Sequence, residues 1–216
     1  MTDWPSPNFG ERRGGVRPSL IVLHFTAMAS FAEARARLCD PATEVSAHWL
    51  ISETGGVEAL VPEEMRAWHA GAGDWLGLGD VNSRSIGVEL ANSGAQPFPE
   101  PQIGALEVLL AGVMVRWGIG PAGVIAHSDM APGRKSDPGG RFDWRRLALG
   151  GLSVWPVPGK PGDFVGDLCA FGYPDAPQDV LLRAFRLRFR PWAAGPLDDT
   201  DRALAAGLLD ARGAGA

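Results

Sequence analysis

Residues Ser19 to Phe25, Ser-Leu-Ile-Val-Leu-His-Phe, are apolar on both faces of an extended chain, and no other stretch restricts the fold as much. A strand with one wet face alternates polar and apolar residues. This one does not, so it belongs inside a sheet covered on both sides. Val124-Ile125-Ala126 repeats the pattern in shorter form, and both runs lead to a histidine, His24 in the first and His127 directly after the second. A third run, Ser85-Ile86-Gly87-Val88-Glu89-Leu90, puts Ile86, Val88 and Leu90 on one face and Glu89 on the other.

The segments between these strands carry helical and turn signals. Ser30-Phe31-Ala32-Glu33 is a capping box that opens a helix through Leu38, and Asp40-Pro41 ends it. Ala47 to Ile51 and Val57 to Val61, joined by Glu53-Thr54-Gly55-Gly56, predict a hairpin. A long glycine-rich loop follows from Ala67 to Asn82. Ile103, Leu106, Leu110, Val113, Met114 and Trp117 line one side of a helix over Gln102 to Trp117, which Gly118 and Pro121 stop. Strands and helices alternate, so the predicted class is α/β, a mixed sheet flanked by helices. After Leu149 the texture changes. Glycine and proline dominate to Gly166, and helical patterns return over Gln178 to Phe189 and Thr200 to Leu209. The predicted organisation is a main domain over 1–150, a linker over 151–166 and a small helical extension over 167–216. A chain of 216 residues accommodates one such core and a short appendage.

A net charge of −5 and a pI near 5.4 argue against a nucleic-acid backbone or an anionic membrane as the main partner. No apolar run approaches 18 residues, and the opening MTDWPSPNFGERRGG has no charged-then-apolar segment. The expected location is therefore cytoplasmic, or periplasmic for a chain from which an export signal has been removed. Cys39 and Cys169 lie outside any CxxC pattern and are expected as reduced, largely buried thiols.

Chemistry concentrates where the run Val124-Ile125-Ala126 ends. His127 enters a loop stiffened by Pro132 and Pro138 that carries Arg134, Lys135 and Asp137 within ten residues. Lys135 is one of only two lysines in the chain, with Lys160. His24, His127 and Asp137 compose a donor set suited to catalytic zinc, with an open fourth position. Hydrogen-bonded structural histidines are the competing reading, because no short metal motif such as HExxH is present. Glu89 is either a solvated edge carboxylate or a general base, and Lys135 either a solvated loop lysine or an oxyanion partner.

Five motifs in order, IVLHFTA, VSAHWLI, AWHAG, NSRSIGVELAN and VIAHSDMAPGRKSDPG, resemble the zinc-dependent N-acetylmuramoyl-L-alanine amidases. This is the amidase-2 group, which shares its fold with bacteriophage T7 lysozyme and the peptidoglycan recognition proteins. The resemblance spans about residues 5–150 and touches both the cell-wall recycling and the lipoprotein branches. The tail resembles, more weakly, the helical peptidoglycan-binding-like extension of some members.

The resemblance implies zinc on His24, His127 and Asp137, Glu89 as catalytic base and Lys135 as transition-state stabiliser. Aspartate at the third metal position matches the bacterial amidases; cysteine is usual in the animal recognition proteins. His48 is expected to be structural and His69 to border the cleft, while Arg84 and Arg134 are candidates to grip a substrate carboxylate or sugar oxygen. The implied reaction is hydrolysis of the amide between muramic acid and L-alanine. Zinc activates water, Glu89 carries the proton to the leaving amine, and zinc and Lys135 hold the oxyanion. A muropeptide-binding module that cuts nothing is the alternative from another class, and the complete donor set argues against it. Between soluble muropeptides, including 1,6-anhydro forms, and intact wall, the favoured substrates are the soluble fragments of wall recycling.

Overall fold

The computed structural model describes residues 5–213, with side chains to residue 211. A short β1 (Phe9–Gly10) precedes β2 (Leu20–Phe25), which forms where the doubly apolar run predicts it. α1 (Phe31–Cys39) starts at the Ser30 cap, whose side chain accepts from the Glu33 amide. The hairpin comprises β3 (Trp49–Ile51) and β4 (Val57–Ala59), and a two-residue β5 (Arg66–Ala67) pairs with β1. Then follow α2 (Val81–Arg84), β6 (Ser85–Leu90), α3 (Glu100–Trp117), β7 (Val124–Ala126), α4 (His127–Met130) and α5 (Trp144–Leu149). Three helices close the chain: α6 (Phe164–Phe171), α7 (Gln178–Phe189) and α8 (Asp199–Gly213).

The main sheet has the order β4-β3-β6-β2-β7, with β4 antiparallel to β3 and the other neighbours parallel. It is a mixed sheet with helices on both faces, as the apolar runs require. Ile21, Leu23, Ile86, Val88, Leu90, Val124 and Ala126 turn to one side, against α3 and Trp144 of α5. Leu20, Val22 and Ile125 turn to the other, where they meet Phe164, Leu168, Phe185, Phe189 and Leu208. Each such side chain removed from water contributes about 1.5–3 kcal/mol. The C-terminal helices are thus the lid of the sheet's second face at β2 and β7. A smaller cluster of Ala34, Leu38, Leu50 and Leu60 occupies that face further along, under α1.

Two expectations about elements are corrected. The hairpin strands are three residues each, not five, because the His48 carbonyl accepts from the amides of both Leu60 and Val61 and the ladder ends there. The expected linker over 151–166 holds buried Ser153 and Val154, and its last three residues, from Phe164, already belong to α6. Gly166 weakens the local helical signal, and burial of Phe164, Leu168 and Phe171 against the sheet outweighs it. Cys39 and Cys169 are free and half-buried.

Candidate active site

Parallel pairing sets the frame: His24, near the end of β2, is opposite Glu89 of β6, and β7 delivers His127 alongside. The Asp129 carboxylate accepts from the Ala126 amide at 2.9 Å and so folds the chain into α4 directly at His127. The loop then returns until the Ser128 amide donates to the Asp137 carbonyl at 3.0 Å. In consequence His24 Nδ1, His127 Nδ1 and Asp137 Oδ2 stand at the corners of a triangle with every side 2.9 Å.

The protons around this triangle can be followed outward. Ser85 Oγ donates to the Val81 carbonyl at 2.6 Å, so it accepts from His69 Nε2 at 3.1 Å. His69 Nδ1 is then the acceptor for His24 Nε2 at 3.0 Å, which leaves His24 Nδ1 as a bare lone pair. On the other side His127 Nε2 lies 2.8 Å from the Ala70 carbonyl, which only accepts, so the neutral ring carries its proton on Nε2 and leaves Nδ1 bare. Burial, reinforced by His127, pulls His24 down to about 4, so its ring is neutral at pH 7. Burial likewise holds His69 well below the usual histidine range. Three lone pairs therefore converge, and among the described residues no lysine or arginine is ion-paired with Asp137. Two imidazole nitrogens and a carboxylate in this relation fit a divalent cation.

The remaining predicted residues divide. Glu89 is half-buried, lines the same cleft of about 360 Å³ and has one carboxylate oxygen, Oε2, with no hydrogen-bond partner. Burial first, and then the charge of Asp137, raise its pKa to about 8 against the opposing pull of Lys135. Lys135 lines the cleft from the exposed loop. His69 lines it too, and it also seats His24; its ring lies so close to β6 that a Cβ at Gly87 would stand 2.4 Å from Cγ. Arg134 reaches the rim with one terminal nitrogen committed to the Ala70 and Ala72 carbonyls. Arg84 is not brought to the site. Its guanidinium donates to the Trp75 and Leu78 carbonyls, and it is absent from the cleft lining. This corrects its expected place: a long glycine-rich loop leaves carbonyls without partners, and Arg84 satisfies two of them. His48 is structural, as expected, accepting from the Gly87 amide at Nδ1 and donating to the Met65 carbonyl from Nε2.

Residues 14–140 match the family model for N-acetylmuramoyl-L-alanine amidases. The chain belongs to that family. Within it, the AmiD amidase of Escherichia coli strain K12 is 34% identical over 235 aligned positions, covering 91% of this chain and 84% of AmiD. The structure of E. coli AmiD with the substrate anhydro-N-acetylmuramic acid-L-Ala-D-γ-Glu-L-Lys superposes with a TM-score of 0.81 at 32% identity, covering 94% of this amidase-family chain and 97% of AmiD. Pseudomonas aeruginosa AmpDh3, solved with an anhydromuramic pentapeptide, gives 0.81 at 31% identity and 94% of both chains. AmpD, solved as a selenomethionine derivative, gives 0.63 at 30% identity and covers 69% of this chain. The matched segment contains His24, Glu89, His127, Lys135 and Asp137. Ser85 escaped the sequence reading; its only signal is its place two residues before Gly87 on the strand that carries Glu89.

Proposed function

We propose that this chain hydrolyses the amide between N-acetylmuramic acid, including its 1,6-anhydro form, and the L-alanine of soluble muropeptides in peptidoglycan recycling. The observation that carries the reading is the triangle of three bare lone pairs beside an unpartnered carboxylate oxygen. His24, His127 and Asp137 hold the metal, and zinc is the ion that suits two nitrogens and one carboxylate. Zinc in that place supplies Lewis acidity to water and to the amide carbonyl at neutral pH.

The chain's own groups do the rest. Glu89, with an unpartnered carboxylate oxygen on the same cleft, accepts a proton from the attacking water and returns it to the departing alanine amine. The Lys135 ammonium, on the cleft wall, offsets the negative oxygen that forms at the attacked carbonyl. His69 fixes the ring of His24, and Arg134 braces the loop carbonyl that orients His127. Two of the structurally similar amidases were solved with anhydromuramyl peptides, which supports soluble fragments as substrates. Among the described residues no helix is long and apolar enough to cross a membrane.

The deciding experiment incubates purified protein with 1,6-anhydro-N-acetylmuramyl tripeptide and, separately, with intact sacculi, with and without a chelator. Metal-dependent release of free tripeptide from the soluble fragment is expected. Equal release from sacculi moves the substrate to the wall and with it the expected cytoplasmic location. Binding of either substrate without cleavage overturns the enzyme reading.

A further inference from the structure

Asp129 lies two residues after His127, is fully buried and is held by the C-terminal helices. Its Oδ2 accepts from the Ala126 amide and from Arg188 Nη1 of α7, while Oδ1 accepts from the Tyr173 hydroxyl at 2.5 Å. The second terminal nitrogen of Arg188 donates to the Val124 carbonyl at 3.1 Å and to Ser153 Oγ at 3.1 Å. One guanidinium therefore grips both ends of the segment that presents His127: the first residue of β7 through its carbonyl, and α4 through Asp129. Trp144 and Phe189 rings flank that guanidinium, at 4.2 and 4.9 Å from its carbon. Arg188 and Tyr173 are 1% and 2% exposed.

A buried ion pair is a poor source of net stability, because the desolvation of both charges offsets their attraction. What it does provide is a fixed relative position of the groups it bonds. Here those groups are the backbone on either side of a metal-donor histidine, a side chain whose Nδ1 must meet two other donors at 2.9 Å. We propose that Arg188 and Tyr173 are positioning residues for His127, acting through Asp129, so that the C-terminal helices set the metal affinity of the site. The proposal rests on His24, His127 and Asp137 being the metal site.

The test uses the full chain and zinc alone. Zinc affinity is read by competition with a chromophoric chelator, and coordination by the absorption spectrum of the cobalt(II)-substituted protein. Arg188→Met is expected to weaken zinc binding about ten- to hundredfold and to alter the cobalt spectrum, the range seen when groups that orient ligands are lost. Arg188→Lys is expected to restore part of the affinity. Arg186→Met is the control: it breaks another buried pair on the same helix, to Asp201 at 2.5 Å, that does not touch β7 or α4, and its zinc affinity is expected to stay at the parent value. If Arg188→Met does not fold, Tyr173→Phe decides, with an expected loss of about three- to tenfold. Parent-like affinity and spectrum in the folded Arg188→Met protein, or in Tyr173→Phe where it decides, overturn the proposal. A parent chain that binds no zinc overturns the metal site itself.

Discussion

Asp129 and Asp137 bracket one loop, and the two buried networks built on them have opposite charge accounts. Asp129 has a resident cation: Arg188 bonds it directly, Tyr173 and the Ala126 amide fill its other positions, and nothing further is required. Asp137 faces two imidazole nitrogens whose protons are committed elsewhere, to His69 on one side and to the Ala70 carbonyl on the other. A structural network closes on itself, since an unsatisfied buried polar group costs about 1–3 kcal/mol. One that stays open by the same accounting marks where a ligand belongs.

The most drastic way to break this contrast is to remove each carboxylate. Asp129→Ala strands a buried guanidinium and is expected to cost about 3–5 kcal/mol, read as a lower urea midpoint in metal-free protein. Asp137→Ala is expected to change that midpoint far less but to weaken zinc binding by more than about a hundredfold, beyond the range for groups that merely orient a ligand. Equal midpoints for the two variants would remove the distinction.

Glu89 sharpens it next. Glu89→Gln is expected to lower kcat by about 10²–10⁴ with zinc affinity retained. The same variant carries a pH signature in the metal-free protein. With a folded pKa raised from 4.5 to about 8, the native state holds a proton that the unfolded chain releases, so this group's stabilising contribution is full below pH 4.5 and is lost as pH rises to about 8. The glutamine variant lacks that decline, and parallel stability profiles from pH 4.5 to 8 would show that burial has not shifted Glu89. A smaller effect is expected for Lys135→Met: zinc bound as before and kcat reduced about 10²–10³. Unchanged turnover removes Lys135 from the oxyanion.

The open network was more legible in sequence than the closed one. His24, Glu89 and His127 stand at or beside strand ends whose apolar runs announce the strands, and Asp137 lies in a loop where proline and glycine limit the path. The pairing of Asp129 with Arg188 spans 59 residues and joins two single side chains with no periodicity to betray them. α6 was hidden for a related reason, because its Gly166 reads as linker and only the cluster it packs on makes Phe164, Leu168 and Phe171 one face. Local pattern reports strands, caps and amphipathic helices; it does not report which buried charge answers which.

Arg84 is the smallest test and the one that separates the two kinds of network most finely. Lying just before β6, in the motif that carries the family resemblance, it invited a substrate role. Its hydrogen bonds run instead to the Trp75 carbonyl at 3.1 Å and the Leu78 carbonyl at 2.8 Å. Both acceptors are satisfied within the chain, so its network is closed in the manner of Asp129. Arg84→Ala is therefore expected to lower stability by about 1–3 kcal/mol, the range for a charged donor lost from backbone carbonyls. KM for the anhydromuramyl tripeptide is expected to stay within twofold of the parent. A rise of tenfold or more in KM with stability intact would mean that the guanidinium leaves those carbonyls for the substrate, and a closed network would then no longer be sufficient grounds for a structural role.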